Sequence, residues 1–129
     1  MIGVQCVDFV AVPTQDKDRA AKFYGETLGL ERNPRTSASW PEFETGNVTL
    51  AIVVPEQIGM DFTPLPPGQI ALRVPDVAGA RERLEQEGVE FRGETFDSGV
   101  CHMAFFTDPD GNGLMLHHRY APYADGSTP

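Results

Sequence analysis

The side chains best suited to chemistry in this sequence are three histidines and two cysteines. His102, His117 and His118 lie near the C-terminal end, and Cys101 directly precedes His102. An imidazole exchanges protons near neutral pH and binds metals, and a thiolate is a nucleophile. Adjacent residues of a strand point to opposite faces, so Cys101 and His102 form no nucleophile–base pair. Because Cys6 is distant in sequence, we expect reduced thiols in a cytoplasmic protein.

Alternation along the strands divides the three histidines between two faces. His102 and His118 are expected on one face of the sheet. Together with Cys101 they could form an improvised metal site, but too few of these ligands share one face to favour it. His117 is expected on the other face, where it is the candidate catalytic acid or base. The alternative for His117 is a structural role, hydrogen-bonded to a neighbour. The sequence has no phosphate-binding loop, zinc cluster or Ser-His-Asp order.

The histidines surround a strong hairpin pattern. A mostly apolar stretch at 100–106 leads into a turn at 108–112 that reads Asp-Pro-Asp-Gly-Asn, and residues 114–118 lead out of it. Turn chemistry accounts for Asp108 and Asp110. These two carboxylates are therefore not interpreted as an acid–base pair.

Two helices with the same end signals indicate that the chain repeats one unit. Asp16 begins a helix that ends near Gly29, and Asp76 begins a second helix that ends at Gly88. Each aspartate can accept hydrogen bonds from the free N–H groups of a first helical turn. Each glycine can adopt the left-handed conformation that ends a helix.

Strands flank each predicted helix. The expected strands span residues 6–12, 41–44 and 48–54 in the first half and residues 70–74, 100–106 and 114–118 in the second. Each half thus consists of a strand, a helix and about three strands. We interpret residues 1–129 as a single domain with module one at about 4–54, a stiff and extended Pro-rich connector at 55–68, module two at about 69–120 and a loose tail at 121–129.

Composition narrows the classes of partner. The chain has 129 residues and a net charge of −9, which argues against nucleic acid as a partner. The acidic charge favours a cationic ligand, or it only keeps the protein in solution. No apolar stretch has the length of a membrane span and no secretion leader opens the chain. We therefore expect a cytoplasmic protein without a membrane partner.

Three short motifs carry a resemblance to a known family: Phe23-Tyr24, Leu28-Gly29-Leu30 and the turn at 108–112. Over about residues 4–120 the chain resembles the glyoxalase, bleomycin-resistance and extradiol dioxygenase superfamily, which has the vicinal oxygen chelate fold. The resemblance implies an α+β, glyoxalase-like fold in which two βαβββ modules form a curled mixed sheet around a cavity. It also implies a homodimer. Neither module can bury both faces of its sheet alone, so modules pair within a chain or swap between chains.

The resemblance also indicates where metal-dependent members hold a divalent metal. Carried onto this sequence, those positions are Phe9, Ala51, Gln69 and Met115. Phe and Ala offer no lone pair, Met is a soft thioether, and Gln is a weak neutral donor. We therefore expect no metal and no cofactor. A one-residue slip in the first strand would place Asp8 at the first position instead.

Alternation combined with the resemblance predicts an apolar, aromatic and thioether-lined cavity with two polar groups, Gln69 and His117. The predicted ligand-binding residues are Phe9, Ala11, Trp40, Thr49, Ala51, Gln69, Cys101, Met103, Phe105, Met115 and His117. The alternative is a cavity filled by side chains, in which these residues form an ordinary core.

Three functions are compatible with this cavity. The first is a metal-free protein, similar to the bleomycin-resistance branch, that binds an aromatic or cationic small molecule. The second is a metal-dependent lyase, isomerase, thiol transferase or dioxygenase, which would need a divalent metal. The third is a metal-free enzyme with His117 as general base.

Overall fold

The computed structural model describes all 129 residues, which form two compact units, Met1–Thr63 (unit 1) and Pro64–Pro129 (unit 2). Each unit contains one four-stranded mixed sheet and one α-helix. None of the helices combines the length and the apolar composition that a membrane crossing requires.

Unit 1 follows the order strand, helix, three strands. Its elements are β1 (Phe9–Pro13), α1 (Lys17–Lys22), a π-helical turn (Phe23–Thr27), β2 (Glu31–Arg32), β3 (Glu42–Glu44), β4 (Thr49–Val53) and a 3₁₀ helix (Pro55–Ile58). The strand order is β1-β4-β3-β2. The first strand pairs with the last in parallel, and the other neighbours are antiparallel.

Unit 2 repeats this arrangement. Its elements are β5 (Ile70–Arg73), α2 (Val77–Gln86), β6 (Phe91–Asp97), β7 (Cys101–Thr107) and β8 (Gly113–Arg119). The strand order is β5-β8-β7-β6, again with only the first and last strands parallel. The predicted pair of βαβββ modules is confirmed.

The predicted helix signals are confirmed in both units. The Asp16 carboxylate accepts a hydrogen bond of 3.1 Å from the backbone N–H three residues later. The Asp76 carboxylate accepts the corresponding bond at 3.2 Å. Gly29 and Gly88 have φ angles of 73° and 88°, the left-handed conformation that disfavours side chains.

The first strand starts later than the sequence predicts, at Phe9 rather than at residue 6. Its partner β4 begins only at Thr49, which pairs with Phe9. The residue before Thr49 belongs to a turn in which the Thr45 N–H donates to the Val48 carbonyl. Residues 6–8 therefore have no strand to pair with, and they carry no regular structure.

The first helix ends in a π-helical turn, which the sequence did not indicate. The Leu28 N–H donates to the Phe23 carbonyl at 2.9 Å, five residues back. The wider turn buries two consecutive aromatic residues, Phe23 and Tyr24, whose rings meet edge to face at 5.3 Å. A regular α-helix would turn consecutive side chains further apart around its axis.

The segment after β4 also differs from the extended connector predicted from its prolines. Residues Pro55–Ile58 form a 3₁₀ helix that ends at Gly59, which has a φ of 73°. Proline is favoured at the first position of a helix because its φ is already helical and its missing N–H is not needed there.

Each sheet buries the face that its helix covers. In unit 1 the buried residues include Val12, Tyr24, Phe43, Leu50 and Ile52. In unit 2 they include Leu84, Ala104, Phe106, Leu114 and Leu116. Because strand residues alternate, the other face of each sheet carries the intervening positions. We call these two surfaces the unit 1 open face and the unit 2 open face.

A buried hydrogen-bond network fixes the turn at 108–112. The Asp108 carboxylate accepts the backbone N–H groups of Asp110 and Asn112, each at 2.9 Å. The Asn112 side chain donates to Asp108 at 2.8 Å, and its oxygen accepts the Leu65 N–H at 2.8 Å. The structural role predicted for Asp108 is confirmed.

Candidate functional site

The unit 2 open face brings sulfur, phenyl and imidazole groups together. Strand register places Met103 opposite His117 and Phe105 opposite Met115. All four residues are half-buried. Paired residues of neighbouring strands share a face, so these four side chains form one continuous surface.

The backbone before β5 closes on this surface at Gly68. Gly68 has a φ of 69°, and a Cβ built on it would lie 2.9 Å from Phe105 Cε1 and 3.2 Å from Met115 Cε. Beside this contact runs a groove of about 310 Å³ whose walls include Phe105, Arg92 and Glu90. A side chain at this position would require Phe105 and Met115 to shift, and the positive φ would strain it.

Three residues of this open face were missed by sequence reasoning. Phe96 pairs with Met103 and is 54 % exposed, and Arg92 pairs with Phe105. Arg73 pairs with His117. Strand β6 was not located from the sequence, which is why Phe96 and Arg92 were missed. The alternation along residues 70–74 did contain a signal for Arg73, because it shares a face with the residue two positions earlier.

The unit 1 open face carries four of the predicted ligand-binding residues. Phe9 pairs with Thr49, and Ala11 pairs with Ala51. Phe9 is 55 % exposed. Asp8, the alternative occupant of the first position, lies before β1 and outside the ladder. A second groove of about 310 Å³ passes Ala11 in this unit.

Acidic side chains flank those four residues, which sequence reasoning also missed. Glu42 lies opposite Ala51, and Glu44 lies opposite Thr49. The Thr49 hydroxyl donates to Glu44 Oε2 at 2.8 Å. Glu31 lies opposite Glu44, so two like charges face each other across β2 and β3. This part of the surface is therefore strongly anionic.

Trp40 and Gln69 lie outside the strands. Trp40 is half-buried in a turn before β3, and its backbone N–H donates to the Ser37 carbonyl at 3.0 Å. Gln69 is exposed just before β5, and its backbone N–H donates to the Pro66 carbonyl at 3.2 Å.

Cys101 is buried at the end of the unit 2 open face, where it pairs with Arg119. The Arg119 guanidinium donates to the Pro122 carbonyl at 2.7 Å and lies 4.8 Å from the Tyr123 ring centroid. These contacts fix the start of the segment that follows β8.

The remaining two histidines lie opposite each other, as predicted, on the other face of the sheet. His102 Nε2 lies 3.4 Å from an Asp97 carboxylate oxygen, and the Tyr120 hydroxyl donates to Asp97 at 2.8 Å. Hydrogen bonds from the Gly99 N–H and the Tyr120 hydroxyl lower the pKa of Asp97. The hydrogen bond between Tyr120 and Asp97 also raises the pKa of Tyr120. His118 Nδ1 is buried without a partner.

No group of three or more His, Cys, Asp or Glu side chains is arranged to hold a metal ion. Cys101 and His102 belong to opposite faces of β7, so the improvised metal site does not assemble. The four positions transferred by resemblance hold Phe9, Ala51, Gln69 and Met115. This donor set does not fit a hard divalent ion, which prefers several oxygen or nitrogen ligands.

A family model described as the Glyoxalase/Bleomycin resistance protein/Dioxygenase superfamily matches residues 7–116. The chain belongs to this superfamily. The resemblance inferred from its motifs is thereby confirmed. An uncharacterized protein of Mycolicibacterium smegmatis is 30 % identical to this chain over 113 residues, which cover 86 % of this chain and 91 % of the relative.

Solved structures of similar proteins confirm the glyoxalase-like fold. TnmS3, an antibiotic binding protein from Streptomyces sp. CB03234, has a TM-score of 0.75 at 24 % identity, covering 92 % of this chain and 99 % of its own. A glyoxalase/bleomycin resistance protein from the same organism has a TM-score of 0.68 at 28 % identity, covering 88 % of this chain and all of its own. The likeness to TnmS3 shows the fold alone.

Proposed function

We propose that this glyoxalase-superfamily protein binds an aromatic or cationic small molecule in an apolar cavity without using a metal. The observation that carries the proposal is the chemistry of the four inherited ligand positions. Phe9 and Ala51 cannot donate to a metal, whereas Met115 and Phe105 offer polarizable and aromatic surface on the unit 2 open face.

The aromatic part of the proposal rests on the half-buried cluster of Met103, Phe105 and Met115. A flat ring that removes about 150 Å² of apolar surface from water gains roughly 4 kcal/mol at about 25 cal/mol per Å². Association costs at least a comparable amount in lost translational and rotational freedom. A single ring is therefore held weakly, and a ligand with fused rings is the better match.

The cationic part rests on charge. The chain carries a net charge of −9, and Glu31, Glu42 and Glu44 lie together on the unit 1 open face. A field of this sign raises the local concentration of positively charged molecules. It acts on the rate of encounter more than on the stability of the bound state.

His117 supports the second candidate, a metal-free enzyme that uses this residue as general base. The imidazole shares the open face with Met103 and Met115, where a bound molecule would be within its reach. The expected signature is turnover that His117→Ala abolishes. Turnover that survives His117→Ala would exclude this role.

The metal-dependent alternative and the binding proposal are separated by metal content. Protein purified without a chelating resin is expected to contain no stoichiometric Zn, Mn, Ni or Fe by elemental analysis, before and after soaking in each metal. A near-stoichiometric metal would refute the proposal and favour a lyase, isomerase, thiol transferase or dioxygenase.

Binding itself is tested by thermal shift with a panel of neutral and charged fused-ring compounds. A ligand that binds only the folded state raises the melting temperature in a concentration-dependent way. Met115→Ala is expected to weaken binding about tenfold, or about 1.4 kcal/mol. Val100→Ala, which removes an exposed apolar group outside the cluster, serves as the control and is expected to change nothing. Equal affinities for the two variants would contradict the assignment of Met115.

We also propose a homodimer, on the ground that large apolar residues outside the open faces, such as Val7, Ile58 and Met60, are exposed and require cover. Sedimentation equilibrium is expected to give a mass twice that of the single chain, which is 14.1 kDa. A monomer at all concentrations would exclude it.

A further inference from the structure

We propose that the unit 2 open face selects aromatic molecules that carry an acidic group, with Arg73 and His117 holding that group. The inference rests on the proposed function and decides between its two ligand classes in favour of the aromatic one. It concerns the chemistry that the ligand must present, and it follows from the order of side chains across the sheet.

One row of paired residues crosses all four strands of unit 2. Arg73 on β5 pairs with His117 on β8, His117 with Met103 on β7, and Met103 with Phe96 on β6. Neighbouring strands lie about 4.8 Å apart, so the row spans roughly 14 Å. It presents a guanidinium, an imidazole, a thioether and a phenyl ring in that order. The length of this row matches a molecule of two or three rings with one polar end.

The adjacent row lies two residues away on β5, β7 and β8 and four residues away on β6, where the register shifts, and it continues the apolar centre. It runs through Ala71, Met115, Phe105 and Arg92. The two central strands thus carry thioether and phenyl groups, while a guanidinium stands at each outer edge. The groove beside Arg92 also contains Glu90, so that edge carries both signs of charge. The edge at Arg73 is the one suited to an anion.

The Arg73 guanidinium has no partner of its own. It takes part in none of the hydrogen bonds or ion pairs of the structure, and the residue is exposed. No acidic residue occupies a paired position of the unit 2 open face. Planar guanidinium groups bind carboxylates through two parallel hydrogen bonds, and a neighbouring imidazole adds a further donor.

The acidic character of the whole chain does not override this local arrangement. At physiological ionic strength, charges are screened over about 8 Å, so most of the net charge of −9 does not act at Arg73. A carboxylate in direct contact with Arg73 and His117 is within hydrogen-bond distance and is screened much less.

The test uses three probes with the same fused rings: 2-naphthoate, 2-naphthamide and 2-naphthylmethylammonium. Calorimetric titration is expected to show naphthoate binding at least tenfold more tightly than the amide, and the ammonium probe binding most weakly. Arg73→Gln is expected to remove the preference for naphthoate, so that the two affinities become equal within about twofold. Arg83→Gln, which changes an exposed arginine of α2, is the matched control and is expected to keep the preference.

The outcomes separate this inference from the function on which it rests. Equal binding of naphthoate and naphthamide, or a preference that survives Arg73→Gln, overturns the inference and leaves an aromatic binder. Preference for the ammonium probe overturns it in favour of a cationic ligand. Absence of binding by all three probes at millimolar concentration overturns both the inference and the aromatic part of the proposed function.

Discussion

The hydrogen-bond network of Asn112 offers a sharp test of what stabilises unit 2. Its side chain is fully buried, donates to the Asp108 carboxylate at 2.8 Å and accepts the Leu65 N–H at 2.8 Å. Asn112→Ala removes both bonds and leaves a buried carboxylate and a backbone N–H with one partner fewer. A hydrogen bond to a charged group contributes about 1.5–3 kcal/mol and a neutral one about 1 kcal/mol. The expected loss of stability is therefore about 2.5–4 kcal/mol.

The turn of the other hairpin supplies the control. Asn47 occupies an exposed position there, where its side-chain oxygen accepts only a long 3.3 Å bond from the Thr45 hydroxyl. Asn47→Ala is expected to change the free energy of unfolding by less than about 0.5 kcal/mol.

Urea unfolding followed by circular dichroism measures the free energy of unfolding of both variants, and thermal unfolding measures their melting temperatures. At about 3 °C per kcal/mol for a chain of this size, Asn112→Ala is expected to lower the melting temperature by roughly 8–12 °C. An Asn112→Ala protein as stable as Asn47→Ala would refute the reasoning, because it would mean that water replaces both bonds without cost.

Three further predictions concern backbone space, titration and capping. Gly113→Ala is expected to destabilise the fold by more than about 2 kcal/mol in urea unfolding, because its Cβ would collide with the Pro66 carbonyl and lie 2.5 Å from the Pro67 Cα. Wild-type stability would contradict this close packing of the Pro66–Pro67 backbone against Gly113. Asp97→Asn is expected to lower stability at pH 7 but not well below pH 3.8: the pKa of Asp97 is lowered by folding, so its contribution exists above the unfolded pKa and disappears as pH falls through the folded one. A variant difference in melting temperature that persists at pH 2 would exclude this linkage, and Tyr120→Phe removes one of its two main causes. Asp16→Ala is expected to cost about 1 kcal/mol in thermal unfolding through loss of the α1 cap, and an unchanged melting temperature would show that the cap bond is dispensable.

Local signals in the sequence were sufficient to predict most of the fold. Asp16 and Asp76 begin helices because carboxylates accept first-turn N–H groups, and the turn at 108–112 contains its own hydrogen-bonding residues. These features depend on residues a few positions apart. Strand alternation likewise predicted that His102 and His118 would lie opposite each other.

Features that depend on distant partners could not be predicted in the same way. The start of β1 is set by where β4 begins, forty residues later. The π-helical turn depends on the packing of Phe23 and Tyr24 in the core of unit 1. Strand β6 has a register shift between Arg92 and Phe96, which breaks the alternation that would have revealed it. The charged residues of the open faces were missed because their neighbours lie on other strands, and strand pairing decides which residues these are.

The parallel pairing of first and last strands affects how each unit emerges from the ribosome. Phe9 pairs with Thr49, which is synthesised forty residues later, and Ile70 pairs with Leu114, which is synthesised forty-four residues later. At about 5–20 residues per second, each first strand remains unpaired for roughly two to nine seconds. Neither sheet can close until nearly all of its module has been synthesised, so co-translational folding of each module is delayed to its last strand. During that interval the first strand, with Phe9 or Ile70 at its start, is available to chaperones and to neighbouring nascent chains.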